Sequence, residues 1–239
     1  SQLVKDFLHW AKLDLWKKPN LTEAEKREFK EACFKFYHDK TKERLSKFYL
    51  KKEISDITHN INGVQVPPLQ ELLKKIDWNY LCEGIPVRFH GDLQFDNVLV
   101  TRDEKSQLQK FMLLDWRHEF GGILYAGDIY YDLAKLYGGL IISYQLIKEG
   151  LFSFDMSGSS AYYDFYVKNN LNEAKQEFEE FVKTDGFDFE KIKILTSLIF
   201  LNMSPLHTDP FDLMLYFFGK NMLYKTLRNK NVFPRTNND

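Results

Sequence analysis

His90-Gly91-Asp92-Leu93-Gln94-Phe95-Asp96-Asn97, followed by Leu113-Leu114-Asp115-Trp116, is the stretch on which the reading of this chain turns. Asn97 stands five positions after Asp92, and Asp115 stands 23 positions after it. Moving a phosphoryl group from ATP needs positioning, a group that orients the attacking hydroxyl, and cations that offset charge on the phosphates. Asp92 is the candidate orienting base. Asn97 and Asp115 are hard oxygen ligands of the kind Mg²⁺ takes alongside phosphate and water. The spacing predicts a loop from Asp92 to Asn97, a strand leaving through 98–100, and a return strand that delivers Asp115 beside Asn97. Leu99 and Leu114 then share one side of the hairpin and form an apolar floor for an adenine ring. An isolated Asp in such a loop is more often a turn or cap residue. The two halves together, joined by a hairpin of workable length, favour chemistry. His90 reads mainly as structural support for the loop through its ring nitrogens. The other histidines form no local metal-binding pair, with His118 the one near the motif.

Outward from the motif the pattern is mostly helical. Apolar spacing predicts a helix over 2–17. Thr22 and Glu25 read as a capping box opening a long helix to about residue 50, whose mixed charges suit a solvated face better than a basic docking face. Ile61-Asn62-Gly63-Val64 reads as a tight hairpin turn, and a helix resumes over 69–81. Three short apolar runs follow at 86–90, 97–101 and 110–114, the last two joined by a hairpin loop over 102–109. Asp128 is placed to cap a helix over 129–147. Further helices are expected over 161–169, 171–183, 189–202 and 210–228, with a frayed tail over 233–239. The expectation is an α+β, mainly helical fold with a few short strands clustered around the polar motif.

The bulk properties exclude some classes. A length of 239 residues with a net charge of -1 suits one large or two small globular domains and gives no support for a nucleic-acid partner. Cys33 and Cys82 have no metal-ligand spacing, which fits free thiols in a reducing compartment. The apolar stretches are too short and interrupted to span a bilayer, so a cytoplasmic enzyme is expected.

The motif matches the kinase catalytic-loop pattern H-R-D-L-x-x-x-N at every fixed position except Arg, here Gly91. With Leu114-Asp115-Trp116 and Gly127-Asp128-Ile129-Tyr130-Tyr131-Asp132-Leu133-Ala134, it resembles the aminoglycoside phosphotransferase and choline kinase superfamily over about residues 86–136. A looser similarity is to kinase-like proteins encoded near bacterial surface-polysaccharide genes. The resemblance implies the C-terminal lobe of a protein-kinase-like fold, Mg²⁺ and ATP as cofactors, and a small-molecule hydroxyl acceptor such as a sugar or amino alcohol. It also implies that Asp128 or Asp132 braces the catalytic loop. In this reading the whole chain is one lobe, with a helical segment over 1–85, a catalytic core over 86–136 and a helical substrate-side subdomain over 137–239.

The chain departs from the family in one respect. The 89 residues before His90 read as helices, and neither G-x-G-x-x-G nor G-x-x-x-x-G-K-[S/T] occurs. The expectation is therefore a lobe whose N-terminal nucleotide-binding partner lobe is missing from this chain, with little activity by itself. The acceptor pocket is expected near Trp116, Arg117, His118, Glu119, Tyr125, Tyr130 and Tyr131. Arg117 suits an anionic acceptor and Glu119 a cationic or hydroxylated one, so the charge of the substrate stays open. The rival readings are a catalytically silent binding or scaffolding domain and an unusual protein kinase. Gly91 and the Gly127–Ala134 segment count against the protein kinase.

Overall fold

Val4, Phe7, Leu8, Ala11 and Leu15 recur every three or four residues and are buried. That stripe drives the first segment into α1 (Gln2–Trp10), which continues as a π-helical turn at Ala11–Leu15. The computed structural model describes residues 2–102 and 109–229; the centre of the expected loop over 102–109 and the expected tail over 233–239 lie outside the described residues. The capping box forms as read. Thr22 N–H donates to the Glu25 carboxylate at 2.8 Å and Glu25 N–H donates to Thr22 Oγ1 at 3.3 Å, opening α2 (Glu23–Phe34). The helix passes through a π-helical turn at Lys35–Asp39, where Lys40 N–H reaches the Lys35 carbonyl, into α3 (Lys40–Lys52).

The β1 (His59–Ile61) and β2 (Val64–Val66) strands flank Asn62-Gly63, both at positive φ, as the turn signal requires. The helix expected over 69–81 is broken into α4 (Leu69–Lys74) and α5 (Trp78–Leu81). Asp77 accepts the Tyr80 N–H at 3.1 Å and starts the second piece afresh. Next come β3 (Pro86–Val87), the antiparallel hairpin of β4 (Val98–Arg102) and β5 (Gln109–Leu113), and β6 (Gly127–Asp128), which pairs with β3. α6 (Ile129–Ile141) stops before the expected 147 because Ile142 turns extended, and α7 (Tyr144–Lys148) restarts from a Ser143 cap.

The largest departure follows. The helix expected over 161–169 is instead a strand in a hairpin, β7 (Phe152–Ser157) with β8 (Ser160–Phe165), turned at Gly158-Ser159. β8 also runs parallel to β1, giving a four-stranded sheet in the order β2-β1-β8-β7. The strands are therefore not confined to the motif. α8 (Asn169–Thr184), α9 (Phe189–Met203) and α10 (Phe211–Asn229) complete the chain. The fold is α+β and mainly helical. α6 is buried along nearly its whole length against α8 and α9, and one contiguous apolar core runs from α1 to α10. No described helix is long and apolar enough to cross a membrane.

Candidate functional site

Buried α6 is the platform of the site. Asp132, fully buried on it, accepts the backbone N–H of His90 and of Gly91, both at 2.8 Å, and the Trp16 indole N–H at 3.1 Å. Burial pushes the Asp132 carboxyl up to about 6 against the pull of these three donors. Asp128 does a different job. It caps α6 through Tyr130 N–H at 3.1 Å and accepts Ile85 N–H at 2.9 Å and the Tyr37 hydroxyl at 2.8 Å. Of the two brace candidates, Asp132 touches the His90–Gly91 loop, whereas Asp128 ties α6 to the strand before it.

His90 is fully buried. Asp92 N–H donates to its Nδ1 at 3.2 Å, which leaves the proton on Nε2, facing the Leu114 carbonyl at 2.6 Å. The ring thus couples the Asp92 loop to the strand end that carries Asp115. Burial lowers its pKa, keeping it neutral. Gly91 has φ +82, and a Cβ there would meet the Arg117 Cβ at 2.5 Å. Both facts call for glycine where the kinase pattern has arginine.

Asp92 Oδ1 takes an ion pair from Lys135 Nζ at 2.6 Å and the Gln94 amide at 3.1 Å. Burial raises the carboxyl, but Lys135, Gln94 and Arg117 outweigh it and hold the group below its ordinary value. Oδ2 has no hydrogen-bond partner among the described residues. Asn97 closes the loop: its Nδ2 donates to the Asp92 carbonyl at 2.9 Å, which turns its oxygen away. Leu114 N–H donates to the Asn97 carbonyl at 2.9 Å, so the hairpin register sets Asp115 one step beyond Asn97. Asp115 is exposed and sits at φ +56. The Asn97 amide oxygen and the Asp115 carboxylate are hard oxygens of the type that Mg²⁺ takes alongside waters and phosphate. No group of three or more His, Cys, Asp or Glu converges among the described residues, so an all-protein metal cage is not what this site offers.

The Val98↔Leu113 and Leu99↔Met112 pairing puts Leu99, Met112 and Leu114 on one exposed side, while Val98, Phe111 and Leu113 pack on the core. The pocket residues divide. Trp116 leans on His90 with centroids 5.0 Å apart and takes the Arg88 guanidinium over its ring at 5.1 Å. Arg117 N–H donates to the His90 carbonyl at 2.9 Å and its Nε to the Gly91 carbonyl at 3.3 Å. His118 and Glu119 are exposed beside it. Tyr130 is a correction: two residues before Asp132 on a helix is about 200° around it. Its hydroxyl instead accepts Asp188 N–H at 3.2 Å, with Lys191 over its ring. Tyr131 is the tyrosine that faces Phe36 and Lys40. Tyr125 is tied to α2 through the Glu28 carboxylate.

No family model, curated protein or solved structure matches this chain.

Lys135 escaped the sequence reading. Its signal was available: it is the one basic residue of the apolar α6, three positions after Asp132. Lys40 carried no such signal, because it lies in a run of alternating charges. A further cavity of about 670 Å³, lined by Lys12, Lys18, Val87, Ile129 and Phe187, is not lined by Asp92, Asn97 or Asp115.

Proposed function

We propose that this chain is the catalytic lobe of an ATP-dependent phosphotransferase that acts on a hydroxyl of a small molecule. The observation that carries the reading is the Asp92–Asn97 loop pinned from below by Asp132, with the Asp92 Oδ2 free of hydrogen bonds among the described residues and the hairpin register bringing the exposed Asp115 next in line to Asn97. This agrees with the resemblance of the three motif segments to the aminoglycoside phosphotransferase and choline kinase superfamily.

Asn97 and Asp115 would hold Mg²⁺, and Mg-ATP would supply the phosphoryl group and offset its charge. Leu99, Met112 and Leu114 offer an apolar surface for the base of the nucleotide. Asp92 would accept the acceptor's hydroxyl hydrogen at Oδ2, aim its oxygen, and take the proton as the new P–O bond forms and the bond from the γ-phosphorus to the bridging oxygen breaks, releasing ADP. With its basicity lowered by Lys135, Asp92 works by orientation more than by proton abstraction from the resting hydroxyl, which loose phosphoryl-transfer transition states tolerate.

The test is turnover of Mg-ATP with a panel of sugars, sugar acids, sugar phosphates and amino alcohols, using the full-length protein. We expect one class to be phosphorylated and Asp92→Asn to lower kcat by about 100- to 10,000-fold. One observation favours a second reading. The tight Lys135–Asp92 pair is also what a silent binding domain would keep to neutralise a buried carboxylate. No turnover and no Mg²⁺-dependent nucleotide binding would select that reading.

A further inference from the structure

A cleft of about 310 Å³ lies between the π-helical turn, the start of α3 and the segment after β5. Its walls carry Lys35, Lys40 and Arg117 together with Asp39, Glu43 and Glu119. Two of the three acids are engaged elsewhere. Asp39 meets His38 Nδ1 at 2.7 Å, Glu43 meets Lys47 at 2.5 Å, and Glu119 is exposed. The cations are not. Lys40 Nζ stands 3.9 Å from the centre of the Phe36 ring, and among the described residues no carboxylate forms an ion pair with Lys35, Lys40 or Arg117. Arg117 gives its Nε to the Gly91 carbonyl and lies with its guanidinium 5.4 Å from the centre of the Phe36 ring.

The crowding is felt at Lys40. Burial, then the charges of Arg117, Arg44 and Lys135, lower its pKa to about 7, with Asp92 pulling the other way. A partly buried ammonium whose pKa is lowered first by burial and then by three other cations is stabilised by an anion beside it. Arg117, on the same wall, donates its Nε to the Gly91 carbonyl, so the cleft adjoins the loop that carries Asp92.

We propose that this cleft binds an oxyanion, phosphate or carboxylate, carried by the acceptor, with Lys35, Lys40 and Arg117 as its cationic wall. The acceptor role rests on the phosphotransferase reading; the anion site stands without it. Arginine supplies the fork geometry that oxyanions match, and Phe36 gives the carbon skeleton an apolar side. The substrate class is then a sugar acid or sugar phosphate, and neutral sugars and amino alcohols are poor acceptors.

Calorimetry on the full-length protein without nucleotide, using D-glucuronate, glucose 6-phosphate, glucose and choline, decides the matter. Glucuronate and glucose 6-phosphate bind, and whichever binds more tightly names the oxyanion. Lys35→Gln and Lys40→Gln each weaken that binding by about 10- to 100-fold, while the exposed Lys42→Gln leaves it unchanged. Glucuronate keeps its charge near neutrality, so its affinity falls as pH rises through about 7 and Lys40 loses its proton. Lys40→Arg removes that fall. Circular dichroism shows whether Lys40→Gln has folded, and Lys35→Gln, at an exposed position of the same wall, carries the test if it has not. Anions binding no better than glucose, or binding untouched by the Lys35 and Lys40 variants, overturns the inference whatever the nucleotide does. Anion binding that depends on these residues, with no Mg-nucleotide binding, keeps the site and removes the phosphotransferase reading instead.

Discussion

At the scale of single residues, His90 and Asp92 divide the labour that a one-letter motif lumps together. His90 has both ring nitrogens spent, one receiving the Asp92 amide and the other donating to Leu114. A proton added to Nδ1 would face an N–H donor, so the neutral form is favoured in the fold. The unfolded chain therefore binds that proton first. The stability this supplies is full above about 6.5 and declines as pH falls below it. Ring nitrogen chemical shifts, followed from neutral pH downward, are expected to show a neutral Nε2–H tautomer still in place where a free imidazole is half protonated. A half-protonated His90 at that pH would mean the ring does not couple the loop to the Asp115 strand.

At the scale of elements, α6 and the β4–β5 hairpin do the positioning. α6 presents Asp132 to the loop backbone and Lys135 to Asp92 from adjacent turns, since residues three apart share a helix face. Asp132→Asn keeps the shape but offers an NH₂ to one of the donors that a carboxylate satisfied. We expect about 1–3 kcal/mol lost from unfolding stability in urea, and a drop in turnover comparable to that of Asp92→Asn. An Asp132→Asn protein with native stability and turnover would remove Asp132 from the positioning role. The hairpin works through register. Because Asn97 and Leu114 are opposed, a shift by one residue would carry Asp115 away from Asn97 and turn Leu99 inward.

At the scale of the whole molecule, two distant segments are joined where β1 and β8 run parallel. Asn62 clamps that joint: its amide donates to the Tyr163 carbonyl and accepts the Tyr163 N–H, both at 2.9 Å. Asn62 sits at φ +48, so glycine isolates the clamp by removing the amide without adding backbone strain. Asn62→Gly is expected to cost about 1–2 kcal/mol for the two lost bonds, read from the urea midpoint. No loss would show that the β7–β8 hairpin is held by its apolar contacts alone.

The legible parts were local. The capping box, the Asn62-Gly63 turn, the Asp128 cap and the Asp92–Asn97 loop each involve neighbours in sequence, where spacing and side-chain chemistry suffice. The β7–β8 hairpin was legible too: Phe152-Ser153-Phe154-Asp155-Met156 alternates at a period of two and ends at Gly158-Ser159, but the helical run around it masked that signal. By itself, then, the sequence determined which oxygens stand at which intervals, that the body is mainly helical, and that a short hairpin returns Asp115 towards Asn97. Only the tertiary structure decided that Asp132 rather than Asp128 holds the loop, that Lys135 neutralises Asp92, and that Lys35, Lys40 and Arg117 line the same cleft. The physical reason is range. Caps, turns and periodicity act over a few residues, whereas ion pairing and the potential at a buried ammonium depend on distances in space, which are set only once α6 has been buried between the surrounding helices.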